Sequence, residues 1–225
     1  GTQYGEGFRA VSSGSYKTAV LLAPVHREEE DILVLPESTS FLIPSGKIAV
    51  DQELVEELES AGTNFIRNDI PHLEEHAIEV HLPFLFHLFP EIRIVPILMG
   101  RPSRKNVRVL SSALNLLCGK APEEVLFIVS SNLSSSKSTE ESDNQTQELI
   151  RLIKEGDSQA VLDAGLRHDV SPCGLGPISV LLSCMTRPCR SEVLSTGNSQ
   201  QLDGNREHVV SYGALAFFRD KDDET

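Results

Sequence analysis

Four short, unbroken apolar runs constrain this chain more than any other feature. They fall at residues 17–24, 92–99, 125–131 and 209–218, each bounded by proline, glycine, asparagine or charge. A run that is continuous rather than alternating suits a strand covered on both faces, the pattern of a parallel sheet. The stretches between them carry helical spacing, at 51–60, 75–89, 104–118, 140–154, 158–167 and 177–185. Strands alternating with helices predict an α/β fold with a mostly parallel central sheet flanked by helices.

Punctuation supports these elements. Asp51 precedes an acidic first turn, Gly156 follows the helix expected to end near Lys154, and Pro177 suits a first helical turn. Pro83 falls inside the apolar segment after His81, so a helix begins or kinks there. The serine-rich stretch 130–144 has no nucleophile elbow and reads as a flexible polar loop.

At 225 residues the length suits one domain with a full core, read here as 1–219 with an acidic tail at 220–225. The acidic stretches 28–31 and 220–224 are expected to be solvated. A net charge of −13 argues against a nucleic-acid or anionic-membrane surface. The four cysteines are sparse and form no C-x-x-C pair, so neither a disulfide framework nor a zinc knuckle is expected. With no apolar run near the length of a membrane span and no leader, a soluble, cytoplasmic protein is expected. The start, Gly1-Thr2-Gln3-Tyr4, lacks an initiator Met and suggests a processed, trimmed or tagged terminus.

Ligands of open α/β sheets bind beyond the carboxyl ends of the strands. Three polar clusters are expected there: Val25-His26-Arg27, Ser130-Ser131-Asn132 and Ser171-Pro172-Cys173-Gly174. A fourth, Glu74-Glu75-His76-Ala77-Ile78-Glu79-Val80-His81-Leu82-Pro83, concentrates imidazoles and carboxylates. His76 and His81 are five apart, which differs from the four-residue spacing of helical zinc pairs, whereas His76 and Glu79 share a helical face. His81 and His87 accompany an apolar stripe and read as packed or half-exposed side chains. Cys173 reads as a small buried thiol before a glycine turn rather than a nucleophile.

In their order along the chain these pieces resemble the Memo family, also called AmmeMemoRadiSam system protein B. Leu22-Ala23-Pro24-Val25-His26 is similar to the family's strand ending in G-P-S-H, and residues 75–84 to its E-H-S-I-E-x-x-L-P signature. Ile94-Val95-Pro96-Ile97-Leu98-Met99-Gly100 resembles I-I-P-V-L-V-G, Phe127-Ile128-Val129-Ser130-Ser131-Asn132 resembles V-V-S-S-D, and Cys173-Gly174-Leu175-Gly176-Pro177-Ile178 resembles C-G-x-x-P-I. Val209-Val210-Ser211-Tyr212-Gly213-Ala214 resembles the closing V-V-S/G-Y-A-A segment.

The resemblance implies a fold similar to class III extradiol dioxygenases, whose non-haem iron lies in one crevice. It also shows departures. The family's first histidine, in a P-H-A-G-Y segment, falls before Gly1. Where the family has S-S-D and then His three residues later, this chain has Asn132 and Ser135. A cysteine found near the end of some members aligns close to Leu202. Two functions follow. One is a metal-dependent oxidoreductase holding iron or copper, with His26 as ligand and His76 and Glu79 orienting it. The other is a non-enzymatic binding or assembly module with a degenerate metal site, engaging a protein partner or a small molecule through a crevice that includes Asn132 and Cys173. The missing acid and imidazole favour the second.

Overall fold

The structure, a computed structural model, describes residues 2–26, 30–119, 122–185, 189–200 and 208–219. The tail expected at 220–225, Glu28 and Glu29 of the acidic stretch at 28–31, and the positions Arg27 and Leu202 lie outside these described residues. In chain order the first elements are α1 (Thr2–Val11), β1 (Thr18–Pro24), β2 (Leu33–Leu35), β3 (Ser40–Ile43), β4 (Gly46–Ala49), α2 (Gln52–Ser60) and β5 (Phe65–Arg67). Next come α3 (Asp69–Glu74), α4 (His76–Glu79), α5 (Leu82–Leu88), β6 (Arg93–Met99), α6 (Arg104–Cys118) and β7 (Val125–Val129). The chain continues through β8 (Ser134–Ser136), α7 (Thr139–Glu155), α8 (Ser158–Leu166), α9 (Leu175–Cys184), β9 (Cys189–Asn198) and β10 (Val209–Arg219).

Contacts divide these elements into two compact units. The first comprises residues 14–131 and 173–184. Its sheet has the order β5-β2-β6-β1-β7. Three of its four pairings are parallel and only β2 against β6 is antiparallel, so the sheet is mixed but mostly parallel as the apolar runs predict. β1 lies between β6 and β7 with all seven residues buried, which is why it carries no alternation. Helices α4 and α9 pack on β1, α9 also covers α6, and α2 lies against β5 and β6. Asp51, 2% exposed, caps α2 and accepts a hydrogen bond from Thr18 Oγ1 at 3.0 Å, with Arg93 at 3.3 Å. A buried carboxylate needs such partners, and here they join β1, β6 and α2.

Pro83 begins a helix rather than kinking one. The segment expected as one helix at 75–89 is two, α4 and α5, with Pro83 in the first turn of α5 where its missing N–H costs no hydrogen bond.

The second unit comprises 1–13, 132–172 and 185–225. Here the run at 209–218 departs from expectation. It forms β10, the centre of a three-stranded antiparallel sheet with order β8-β10-β9, and does not join the parallel sheet. α1 packs on β9 and β10, and α7 on β8 and β10. Gly156 takes the left-handed conformation, φ 68°, that ends α7.

The serine-rich stretch is not a flexible loop. Ser134 and Ser142 are fully buried, and Ser136 is 6% exposed. Ser134 Oγ lies 2.7 Å from Ser142 Oγ and 3.1 Å from Thr146 Oγ1, and Ser142 Oγ lies 2.8 Å from Ser211 Oγ. A hydroxyl can both donate and accept, so Ser134 and Ser142 link Thr146 and Ser211 into one buried chain of hydrogen bonds. Its polarity marks a buried network where a polar surface was expected. No helix of the described residues is long and apolar enough to cross a membrane.

Candidate functional site

The parallel strands β1 and β7 bring His26 and Ser130-Ser131 to the same edge of their sheet. Val25 N–H donates to Met99 O at 2.8 Å, extending the β1 ladder by one residue, and the chain turns outward at His26. Both carboxylate oxygens of Glu75 meet that one residue. Oε1 accepts from the His26 backbone N–H at 2.6 Å and Oε2 lies 2.8 Å from Nδ1. A carboxylate only accepts, so Nδ1 is the donor; in the neutral ring Nε2 then carries the lone pair, and on protonation it becomes a second donor.

Glu75 can do this because it stands between two short helices. Its backbone is extended (φ −96°, ψ 130°) while its N–H donates to Pro71 O. The Glu75 side chain is 10% exposed and that of His26 39%, so the acid is sheltered and the imidazole is open to solvent. His76, the first residue of α4, stacks on His26 with centroids 5.5 Å apart and ring planes 10° from parallel.

The expected partners are therefore regrouped. Among the described residues no hydrogen bond joins His76 to Glu79, which is exposed; the carboxylate–imidazole bond is made by Glu75 to His26 instead. Glu75 was in view as part of the E-H motif, but its partner lies far upstream and only the fold brings them together. His81 is 6% exposed and burial pushes its pKa down to about 4, which fits a packed side chain. His87 is exposed. His72, unremarked in the sequence, is likewise buried, has its pKa lowered to about 4 by desolvation, and meets Phe41 edge-on at 5.8 Å.

Cys173 is a half-buried thiol whose Sγ lies 3.8 Å from Ser131 Oγ. Ser131 Oγ in turn accepts from Gly174 N–H at 2.9 Å. The two glycines that follow Cys173 serve close approach rather than a tight turn. A Cβ on Gly174 would stand 2.7 Å from Ser130 O, and one on Gly176 would stand 2.2 Å from Met99 Sδ. Asn132 and Ser171 belong to the other unit, where Ser171 Oγ accepts from Ser135 N–H at 3.2 Å and donates to Gln145.

The sequence model of Memo-like proteins matches residues 1–216. The chain belongs to the Memo family. A MEMO1 family protein of Methanosarcina barkeri is 32% identical over 201 residues, covering 88% of this chain and 75% of its own length. One from Caldivirga maquilingensis is 26% identical over 214 residues, covering 93% and 76%. An uncharacterized protein of Escherichia coli K12, known from a crystal structure, superposes with a TM-score of 0.56 at 9% identity, covering 92% and 91% of the two chains. That likeness is one of fold.

The Memo-family chain's imidazoles do not suit a shared metal ion. A ring nitrogen offers its lone pair in the plane of the ring, and stacked, near-parallel planes do not converge on one point. With Nδ1 bonded to Glu75, His26 keeps Nε2 for a single ligand. Both Glu75 oxygens already accept from His26. Among the described residues no three His, Cys, Asp or Glu side chains are grouped to hold a metal.

Proposed function

We propose that this Memo-family chain is a non-enzymatic binding module that engages a protein partner at the surface formed by His26, Glu75 and His76. The observation that carries this reading is the pair of hydrogen bonds that His26 donates to Glu75, which orients an exposed imidazole while leaving one ring nitrogen for a ligand. The parallel stack with His76 supports recognition over metal chelation. The amide of Asn132, where the resemblance leads one to expect a carboxylate, supports the same reading.

The test is metal content. Full-length protein purified without oxygen, and the same protein reconstituted with iron, copper and zinc, should each retain well under one equivalent after desalting. Stoichiometric metal that disappears in His26→Ala would overturn the proposal in favour of a metal-dependent oxidoreductase.

A further inference from the structure

On α3, which ends two residues before His76 in the chain, apolar side chains are exposed. α3 exposes Ile70 at 61% and Leu73 at 84%. Residues three apart share a helical face, so the two form one apolar knuckle, while His72 turns inward against Phe41. Burying such a pair in a partner is favourable by the hydrophobic effect, and exposed apolar clusters commonly mark interaction sites.

What surrounds the knuckle selects its occupant. Leu73 is followed directly by Glu74, Glu75 and His76, and Glu79 lies one turn further on. Glu74 and Glu79 are exposed, and among the described residues neither makes an ion pair or hydrogen bond. With Nδ1 held by Glu75, the neutral His26 ring offers an acceptor at Nε2. Among the described residues, the stretch thus presents two apolar side chains, two carboxylates without an ion pair and an imidazole acceptor.

We propose that the surface running from Ile70 to Glu79, together with His26, docks a basic, apolar-anchored segment of a partner protein. Leucine-like anchors cover Ile70 and Leu73, and lysine or arginine side chains meet Glu74, Glu79 and His26 Nε2. This rests on the binding-module reading and names the chemistry of its partner. Opposite charge both steers the encounter and rejects acidic competitors.

The experiment is a fluorescence-anisotropy titration of the whole chain with three labelled synthetic peptides of equal length, one of Leu and Arg, one of Leu and Glu, and one of Lys and Ser. The Leu/Arg peptide should bind, with the other two weaker by about tenfold or more. Raising salt from about 50 to about 300 mM should weaken it further. Ile70→Ser with Leu73→Ser, and separately Glu74→Lys with Glu79→Lys, should each raise Kd about tenfold. Leu116→Ser and Leu166→Ser, at exposed apolar positions elsewhere, and Glu140→Lys with Glu141→Lys should leave it within about twofold. All these positions are on the surface, and circular dichroism verifies that each variant folds. The docking proposal is overturned if the Leu/Arg peptide does not bind, if the patch variants bind it unchanged, or if the remote variants weaken it equally. A metal-free chain that ignores the peptide sinks the docking surface alone, whereas stoichiometric metal at His26 sinks the reading beneath it.

Discussion

The hydroxyl network of the second unit and the imidazole cluster of the first are both dense polar groupings, yet they differ in what they leave over. Ser134, Ser142, Thr146 and Ser211 satisfy one another in a buried interior. His26 and Glu75 satisfy one another only in part, with Nε2 and the open ring facing solvent. A closed network contributes to stability and specifies packing; an open one retains hydrogen-bonding capacity for a ligand. Polarity in the sequence therefore does not distinguish the two, while burial and unspent capacity do.

That contrast can be broken in several ways. The largest effect is expected from acid. His72 and His81 in the first unit have folded pKa values of about 4 against an ordinary 6.5, both lowered first by desolvation. The unfolded chain therefore takes up protons before the folded one, and stability falls as pH drops from about 6.5 towards 4. At about 1.4 kcal/mol per unit, each histidine accounts for roughly 3 kcal/mol over that window as an upper figure. Urea denaturation between pH 7 and pH 4 should show the loss, and His81→Leu should flatten it by one histidine's share. An unchanged slope in that variant would disprove the assignment. The serine and threonine hydroxyls of the other network do not titrate in this range.

A smaller effect is expected from the network itself. Ser142→Ala removes a hydroxyl that meets both Ser134 and Ser211, leaving buried groups without partners, and should cost about 2 kcal/mol by urea denaturation. A cost below about 0.5 kcal/mol would show that the network is not closed. Next, Glu75→Gln should cost about 1 kcal/mol, since one of the two hydrogen bonds meets an exposed ring. It should also shift the His26 proton from Nδ1 towards Nε2, visible in ring nitrogen chemical shifts. An unchanged tautomer would mean that Glu75 does not orient the ring. Last, His76→Ala should change stability by about 0.5 kcal/mol or less, because its ring is exposed. A larger loss would make the stack a structural brace.

Legibility followed element length and partner distance. β1 and β6 were legible because apolar runs of six residues buried on both faces leave a continuous signal. α6 matched its spacing at both ends, with Ser103 as its cap. β2 and β5, three residues each, offer too little pattern, and α3 and α4 are too short to show a period. β8 consists only of serines, which have no particular liking for strands; its pairing with β10 and burial against α7 impose the conformation. β10 is legible as a strand but not as a member of the antiparallel sheet, where the exposed Tyr212 follows the buried Ser211. At the site, His26 and His76 were visible as residue types. Their stacking was not, since it depends on β1 and α4 meeting in space, and Glu75 was overlooked because helical spacing pointed to Glu79.

The place of β1 in its sheet bears on how the chain is made. This wholly buried strand pairs on one side with β6 and on the other with β7, so Thr18 faces both Arg93 and Val125. During synthesis it emerges well before either neighbour exists, and pairings between distant segments are slow to form. Until residues 93–99 follow it out of the ribosome, the future centre of the sheet is an unshielded sticky segment. This strand is therefore most exposed to aggregation or chaperone capture during translation, in the interval before residues 93–99 are made.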